Sequence, residues 1–520
     1  MDLTDIIYSN DYINILIQNY VAQSERYQML FPESSALLTL NSQYSVLFLE
    51  RSLLPENLFG EILFTGLPKL FTPLSTLSLE VSGIVQTQNL YGGGYTGKNV
   101  ILGFLDTGID YRHPAFLRSN GQSRILSIWD QTDRTGTPPP QFPYGSLYEK
   151  SDLDDALRSR DPLSVVPVTD PDGHGTYVAG VAGGTPNASA GFLGAAPEAD
   201  FAVVKLKPAK QNLKDFYLVS TNAPVFEEDD LLSAMRFLNE VAAREGKPLV
   251  ICLALGTNQG SHSGTLPIAL TLARYGNTPG IIPVCATGNE GNAAHHYYGS
   301  VSENDSPKNV EFLVSEGSRG FVLEFWGQVP QLFSVGFRSP GGETIPRIPV
   351  SLTQEQRITF VLERTVIYVN YEVVQTTTGS QLILIRMLDP TPGIWTLQVY
   401  RAFPSPPDFH VWLPITGFST SDVIFLEPDP YTTLTTPSAT VPVLSPSTYQ
   451  ASNNSFHRNP DAALPGLVKS NPILLPPGFP SPDRDRQAPT KTGAAQARPL
   501  PLHPVLPLSS CNGAFNAPHP

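Results

Sequence analysis

The sequence predicts an α/β fold: a doubly wound parallel sheet with an inserted antiparallel β-sandwich and a separate N-terminal region. Three observations carry this. From residue 91 onward, NVILGFLDTG, DFAVVKLK, PLVICLALG and GIIPVCATGN are short apolar runs ending in glycine or turn residues, the pattern of strands buried on both faces of a parallel sheet. Helix candidates lie between them, as in residues 229–246, where Leu231, Leu232, Met235, Leu238 and Val241 form one stripe and Gly246 can end the helix. From about 305 to 425 come strands without helices: NVEFLVSE, GFVLEFWG, LFSVGFRSPGGE, RTVIYVNYEVV, QLILIRML and IWTLQVYRA. Several of these alternate apolar and polar residues, and SPGGE is a hairpin turn signal.

A chain of 520 residues exceeds the size at which one core keeps growing, so more than one structural unit is expected. The texture divides it into residues 1–90, a mixed region with pieces such as YSVLFLE; 91–304, the first part of the α/β unit; 305–425, the inserted sandwich; 426–470, the second part; and 471–520, where prolines break every element. A net charge of -14 with no basic patch argues against nucleic acid and against anionic membranes as partners. No apolar run reaches the roughly 18 residues a spanning helix needs. The opening MDLTDIIYSNDY is acidic and lacks a continuous apolar stretch, so no secretory signal is read and a soluble chain is expected. Cys252, Cys285 and Cys511 are a sparse, odd set and read as ordinary buried thiols rather than a disulfide framework or a metal site.

No cofactor or metal is expected. GGGYTGKN, residues 92–99, has phosphate-loop spacing up to Lys98. Asn99 follows where Ser or Thr would reach a metal, and the next element is a strand, so it reads as an entry loop. His295 and His296 are neighbours on an extended segment; their side chains would point apart, and a loop role is read rather than metal binding.

In an open parallel sheet, chemistry gathers at the carboxyl ends of the strands. Three polar signals fall there: Asp106 closing VILGFLD, His174 in DGHGTYVAG, and Asn289 in VCATGNEG. Gly173 and Gly175 let backbone approach the imidazole, Thr176 can help begin a helix, and the Ala/Gly run after it allows tight packing. If Asp106 accepts from Nδ1 of His174, the ring is held in the tautomer whose Nε2 can act as general base. Asn289 would then donate a side-chain N–H to a tetrahedral oxyanion. Asp-Thr-Gly at residues 106–108 has no second copy to share a proton with, which sets aside an aspartic-protease reading.

These residues resemble the subtilisin-like serine proteases, the subtilases. FLDTGIDYRHPAF is similar to their aspartate motif, DGHGTYVAG to their histidine motif with Tyr177 where histidine is usual, and ATGNEG to their oxyanion asparagine motif. The order Asp, His along the chain fits that family. ALGTNQG, residues 254–260, resembles the segment that pairs with an extended peptide substrate, which implies recognition along Ala254, Leu255 and Gly256 by strand addition. More narrowly, VVKLKPAK, GTNQGSHSG, GNEGNAAHHYYG, DPYTTLTTPS and YQASNNS are similar to the clostridial Csp-type germination proteases. The resemblance spans roughly residues 60–465. It implies a prodomain at residues 1–90, a jelly-roll insertion at 305–425, a protein or peptide substrate, and a cytoplasmic or spore-associated location. Oligomeric state is not legible.

The subtilase nucleophile sits in Gly-Thr-Ser-Xaa-Ala at the start of a late helix, and this chain contains no Gly-Thr-Ser. NPDAALPG, residues 459–466, resembles the stretch that precedes it, and in PTKTGAAQA Gly493 stands in the serine's place; Ser509 and Ser510 lie among prolines. The nucleophile therefore stays unassigned. Two explanations compete: an altered tail on an ordinary protease, favoured by the proline surge near 471, or a pseudoprotease that kept two of three triad members.

Overall fold

The computed structural model describes residues 3–19, 36–53, 64–73, 88, 94–188, 192–220, 223–302, 306–328, 330–351, 355–403, 408–419, 421–446, 449–450 and 455–456. NPDAALPG and the whole 471–520 tail, with Gly493, Ser509, Ser510 and Cys511, lie outside the described residues.

Helix α1 (Leu3–Tyr8) is followed by β1 (Tyr12–Gln18), β2 (Ala36–Thr39) and β3 (Tyr44–Glu50), an antiparallel sheet in the order β1-β3-β2. YINILIQ and YSVLFLE are rich in β-branched and aromatic residues, which suit a pleated surface. Their alternation feeds two cores. Leu16, Val46 and Phe48 join the cluster that holds Leu231, Leu232, Met235 and Leu238. Ile13, Ile15, Ile17, Leu47 and Leu49 pack on the opposite face with Leu67. Strand β4 (Leu70–Pro73) follows.

The central unit runs β5 (Ile101–Asp106), β6 (Ile125–Asp130), β7 (Ser146–Glu149), α2 (Lys150–Arg158), α3 (His174–Gly183), β8 (Asp200–Lys205), α4 (Gln211–Phe216), β9 (Phe226–Glu227), α5 (Glu228–Glu245), β10 (Leu249–Leu253), β11 (Leu255–Gly256), α6 (Pro267–Gly276) and β12 (Ile281–Cys285). Six of these strands form one sheet in the order β12-β10-β5-β8-β6-β7, parallel except for β7. Leu444 adds a parallel bridge beside Val284. The four apolar runs named above are the adjacent strands β5, β8, β10 and β12. The predicted stripe is α5, and Gly246 ends it with φ 62°, a left-handed conformation that glycine adopts without strain.

Side chains alternate across this sheet. Ile101 and Leu105 face the α5 cluster, while Leu102 and Phe104 join Val178, Ala179 and Ala182 of α3. The Ala/Gly run of α3 has a physical reason: a Cβ on Gly183 would lie 2.8 Å from Leu102 Cδ1 and 2.9 Å from Phe201 Cζ. Arg124, buried, finishes the helix by donating from Nη1 to the carbonyl of Gly183 (2.6 Å) and to Thr185 Oγ1 (3.0 Å), and from Nε to that of Ala199 (3.0 Å).

The remaining strands are β13 (His296–Ser300), β14 (Lys308–Val314), β15 (Gly320–Gly327), β16 (Phe333–Arg338), β17 (Thr344–Ile345), β18 (Gln356–Thr359), β19 (Val366–Glu372), β20 (Gln381–Leu388), β21 (Gly393–Arg401), β22 (Asp408–Trp412) and β23 (Val423–Phe425). They make two antiparallel sheets, β13-β22-β15-β20-β19-β18 and β17-β16-β21-β14-β23. A shared core that includes Phe312, Phe325, Val335, Ile383, Trp395 and Val411 joins them face to face. SPGGE is the β16–β17 hairpin turn, with Gly342 at φ 88°. The outer face of the first sheet, through Val322, Trp326, Leu382, Leu384 and Trp412, packs with Leu70, Tyr217 and Ala286. The sandwich is thereby seated beside the residues that follow β12.

Two expectations need correction. Cys285 is a free, buried thiol, and burial pushes it up; Cys252 is disulfide-bonded rather than a plain thiol. His296 opens strand β13 rather than lying in a loop. Among the described residues no helix is long and apolar enough to cross a membrane.

Candidate active site

Asp106 is the last residue of the central strand β5, and His174 is the first of α3, which packs on that strand. The imidazole Nδ1 lies 2.7 Å from Asp106 Oδ1, and both residues are buried. With the carboxylate ionised, Nδ1 is the donor and Nε2 is the nitrogen that can take a proton. Asp106 Oδ1 also accepts from the Thr107 backbone N–H at 2.7 Å.

Close approach of α3 to the β5 turn depends on Gly175. A Cβ there would overlap the carbonyl oxygen of Gly108 and sit 3.0 Å from Asp106 Cβ. Gly173 serves otherwise, as the N-cap with φ 83°. Thr176 does not cap the helix. Its hydroxyl accepts the Asp110 N–H (2.9 Å) and donates to Asp170 Oδ2 (2.7 Å).

Asp170 is one of the residues that sequence reasoning missed. It accepts from the N–H groups of Gly173 (3.1 Å) and Thr176 (2.8 Å) and from the Thr107 hydroxyl (2.8 Å), while the Thr107 oxygen accepts the Gly175 N–H (3.0 Å). This carboxylate fastens the start of α3 to the end of β5. Its signal was an aspartate just ahead of Gly-His-Gly-Thr, an acid beside the positive end of a helix.

Asn289 lies in the loop after β12, on the same carboxyl edge of the sheet, and is partly exposed. Gly288 holds φ 106°, and the Thr287 carbonyl accepts from Thr435 N (2.9 Å) and Oγ1 (3.0 Å). The next residue, Glu290, was also missed. Its buried carboxylate accepts from Asn258 Nδ2 (2.9 Å), His295 Nδ1 (2.6 Å) and Thr416 N (3.2 Å). Burial pushes this carboxyl up, but the hydrogen bonds from His295, Thr416 and Asn258 outweigh it and hold the group below the usual range. His295 and His296 do part: His296 Nε2 meets His410 Nδ1 at 2.9 Å.

The predicted peptide-binding stretch is engaged by the chain itself. Leu255 and Gly256 of β11 pair antiparallel with Pro73 and Thr72 of β4, whose other edge pairs Leu70 and Phe71 with Glu227 and Phe226 of β9. Ala254 is buried between β10 and β11 and takes no part in that ladder. Thr257 exchanges backbone bonds with Thr436 (3.1 and 2.9 Å), so residues 257, 287 and 435–436 line up behind the strand.

Among the described residues, one group has the spacing for a metal ion, Glu227, Asp229 and Asp230, all buried. Lys207 Nζ is already 2.6 Å from Asp230 Oδ2, and Asn14 Nδ2 donates to Glu227 (2.8 Å) and Asp229 (2.6 Å). The set is an ion-pair network at the seam with β1.

Comparison with known proteins agrees with this geometry. The subtilase family profile matches residues 97–312. The CspB protease of Clostridium perfringens superposes with a TM-score of 0.63 at 30% identity, covering 74% of this chain and 76% of that one. The subtilisin-like protease PopC of Myxococcus xanthus is 25% identical over 244 residues, and SBT3.5 of Arabidopsis thaliana is 29% identical over 233. The chain spans 42% and 28% of the lengths of those two proteins. A buried Asp–His pair at the edge of a parallel sheet, and a likeness to the CspB protease at 30% identity over 76% of that protein, together place this chain in the subtilase family.

Proposed function

We propose that the chain is a serine-type endopeptidase in which His174 is the general base, Asp106 orients it, and Asn289 stabilises the oxyanion. The reading rests above all on the 2.7 Å contact between His174 Nδ1 and Asp106 Oδ1 at the carboxyl end of the central strand. In the proposed reaction Nε2 takes the proton of a serine hydroxyl as its oxygen attacks the scissile carbonyl. The same nitrogen then returns the proton to the leaving amine, with Asp106 offsetting the imidazolium charge. The Asn289 amide faces the charge that develops on the carbonyl oxygen. A protein segment would bind extended along residues 254–256, by the antiparallel pairing that β4 now makes.

On this reading residues 1–90 are a prodomain whose segment 70–73 occupies the cleft, and the sandwich is a jelly-roll insertion. The protein acts in the cytoplasm or with the spore. A second reading has one observation behind it: the 520 residues contain no Gly-Thr-Ser. A pseudoprotease would use the same cleft to hold a partner; oxyanion stabilisation and binding alone would leave about 10³–10⁴ over the rate in water. A biotinylated fluorophosphonate separates the two. A stoichiometric adduct on a serine, lost in His174→Ala, supports the endopeptidase, and no adduct on the folded chain supports the scaffold.

A further inference from the structure

Lys69, the residue just before β4, is fully buried. Its Nζ donates to the carbonyls of Phe64 (2.8 Å) and Leu67 and lies 4.1 Å from the centre of the Phe64 ring. Burial lowers the pKa of this ammonium, and three carboxylates from separate elements offset part of that: Glu228 at the start of α5, Glu324 on β15 and Glu372 on β19. Each is held in place. Glu228 accepts the N–H of Lys69 (3.3 Å) and of Ile268 (3.0 Å). Glu324 Oε2 accepts from Gly260 N (2.9 Å) and Trp326 Nε1 (3.1 Å), and Glu372 Oε2 accepts from Phe64 N (3.3 Å). The second oxygen of Glu324 is buried without a hydrogen-bond partner among the described residues.

One ammonium among three buried acids leaves an excess of negative charge in a low-dielectric pocket. Burial pushes Glu324 and Glu372 up to about 7, as expected of acids short of positive partners. A neutral side chain at this point would strip the acids of their counter-charge and force them to take up protons, which penalises the wrong ligand. The pocket continues the cleft: the Lys69 carbonyl accepts the Glu228 N–H (3.0 Å), and the Leu70 N–H donates to Gln259 Oε1 (2.8 Å).

We propose that Glu228, Glu324 and Glu372 form a cation subsite of the cleft, so that the chain selects extended peptides carrying a lysine three residues before the one that faces Gly256. This rests on the reading above that residues 70–73 occupy the place of a substrate. The subsite recognises a basic peptide, and the insertion supplies two of its three acids.

The test reads binding, not turnover. A fluorescein-labelled peptide with the sequence of residues 64–73, FTGLPKLFTP, and its counterpart with methionine for lysine are titrated by anisotropy into the full chain carrying Lys69→Met, whose own segment is weakened. The lysine peptide is expected to bind at least about tenfold tighter, and adding Glu324→Gln is expected to erase most of that preference. If Lys69→Met fails to fold, Lys69→Gln, which keeps a donor for the Phe64 and Leu67 carbonyls, is the host with the same expected ranking. Equal binding of the two peptides, binding of neither, or a preference untouched by Glu324→Gln overturns the proposal. A chain that forms no fluorophosphonate adduct still gives a decisive answer here, so the two readings fail separately.

Discussion

Phe71→Ala tests how the cleft is closed. Phe71 is fully buried and belongs to the cluster that holds Phe226, Leu231 and Leu255. Its strand is short: two pairs hold it to β11 and two to β9. Truncating a buried phenylalanine costs about 3–5 kcal/mol, and 1.4 kcal/mol is a factor of ten, so the opening equilibrium of β4 should rise by about two to three and a half powers of ten. Hydrogen exchange followed by mass spectrometry reads this directly. Peptides covering residues 70–73, 226–227 and 255–256 should lose protection by that factor, while β5 and β8, paired along six residues, keep theirs. No faster exchange at 70–73 and 255–256, or an equal rise throughout β5 and β8, would refute the reasoning.

Four further outcomes follow. Gly175→Ala should force α3 away from the β5 turn, because the new Cβ overlaps the Gly108 carbonyl; activity should fall at least about a hundredfold, with chemical shifts of His174 moved in NMR spectra. His410 is buried against His262, His296 and Trp412, and burial, then the charge of His262, holds it down to about 3. A folded value below the unfolded 6.5 means the native state gives up its proton first. The stability His410 contributes is whole above pH 6.5 and is lost as pH falls toward 3, about 2 kcal/mol by pH 5, and His410→Gln should flatten urea midpoints against pH by that amount. Arg124→Met removes a guanidinium, lowered to about 10 by burial, that bonds the carbonyls of Gly183 and Ala199. A loss of about 2–4 kcal/mol in urea unfolding is expected. His174→Ala should abolish any self-processing between residues 60 and 90, read by N-terminal sequencing.

Much of the fold was legible because burial on both faces leaves an unbroken apolar run: ILGFLD, FAVVK, LVICL and IIPVC are strands β5, β8, β10 and β12. Strand β6 escaped, since Ser127 interrupts ILSIWD; that serine is buried because it donates to Glu149 Oε2 at 2.6 Å. The β11-β4-β9 sheet escaped for another reason. Strands of two and four residues show no periodicity, and their partners are set by the tertiary fold. The Asp106–His174 contact was legible because Asp106 ends an apolar run and His174 sits among glycines. Asp170, which is half-buried, and Glu290, Lys69 and Glu324, which are buried, were not, because a charged residue in sequence looks solvated, and only the packed chain reveals the partners that draw it in.

The Asp106–His174 pair is most directly tested by the rate at which the full chain cleaves an internally quenched peptide spanning residues 68–77, compared with Asp106→Asn. The account predicts turnover by the unaltered chain and a fall of about four powers of ten in the variant, from the wrong imidazole tautomer. Cleavage at equal rates by both chains, or by neither when both are folded, would contradict it.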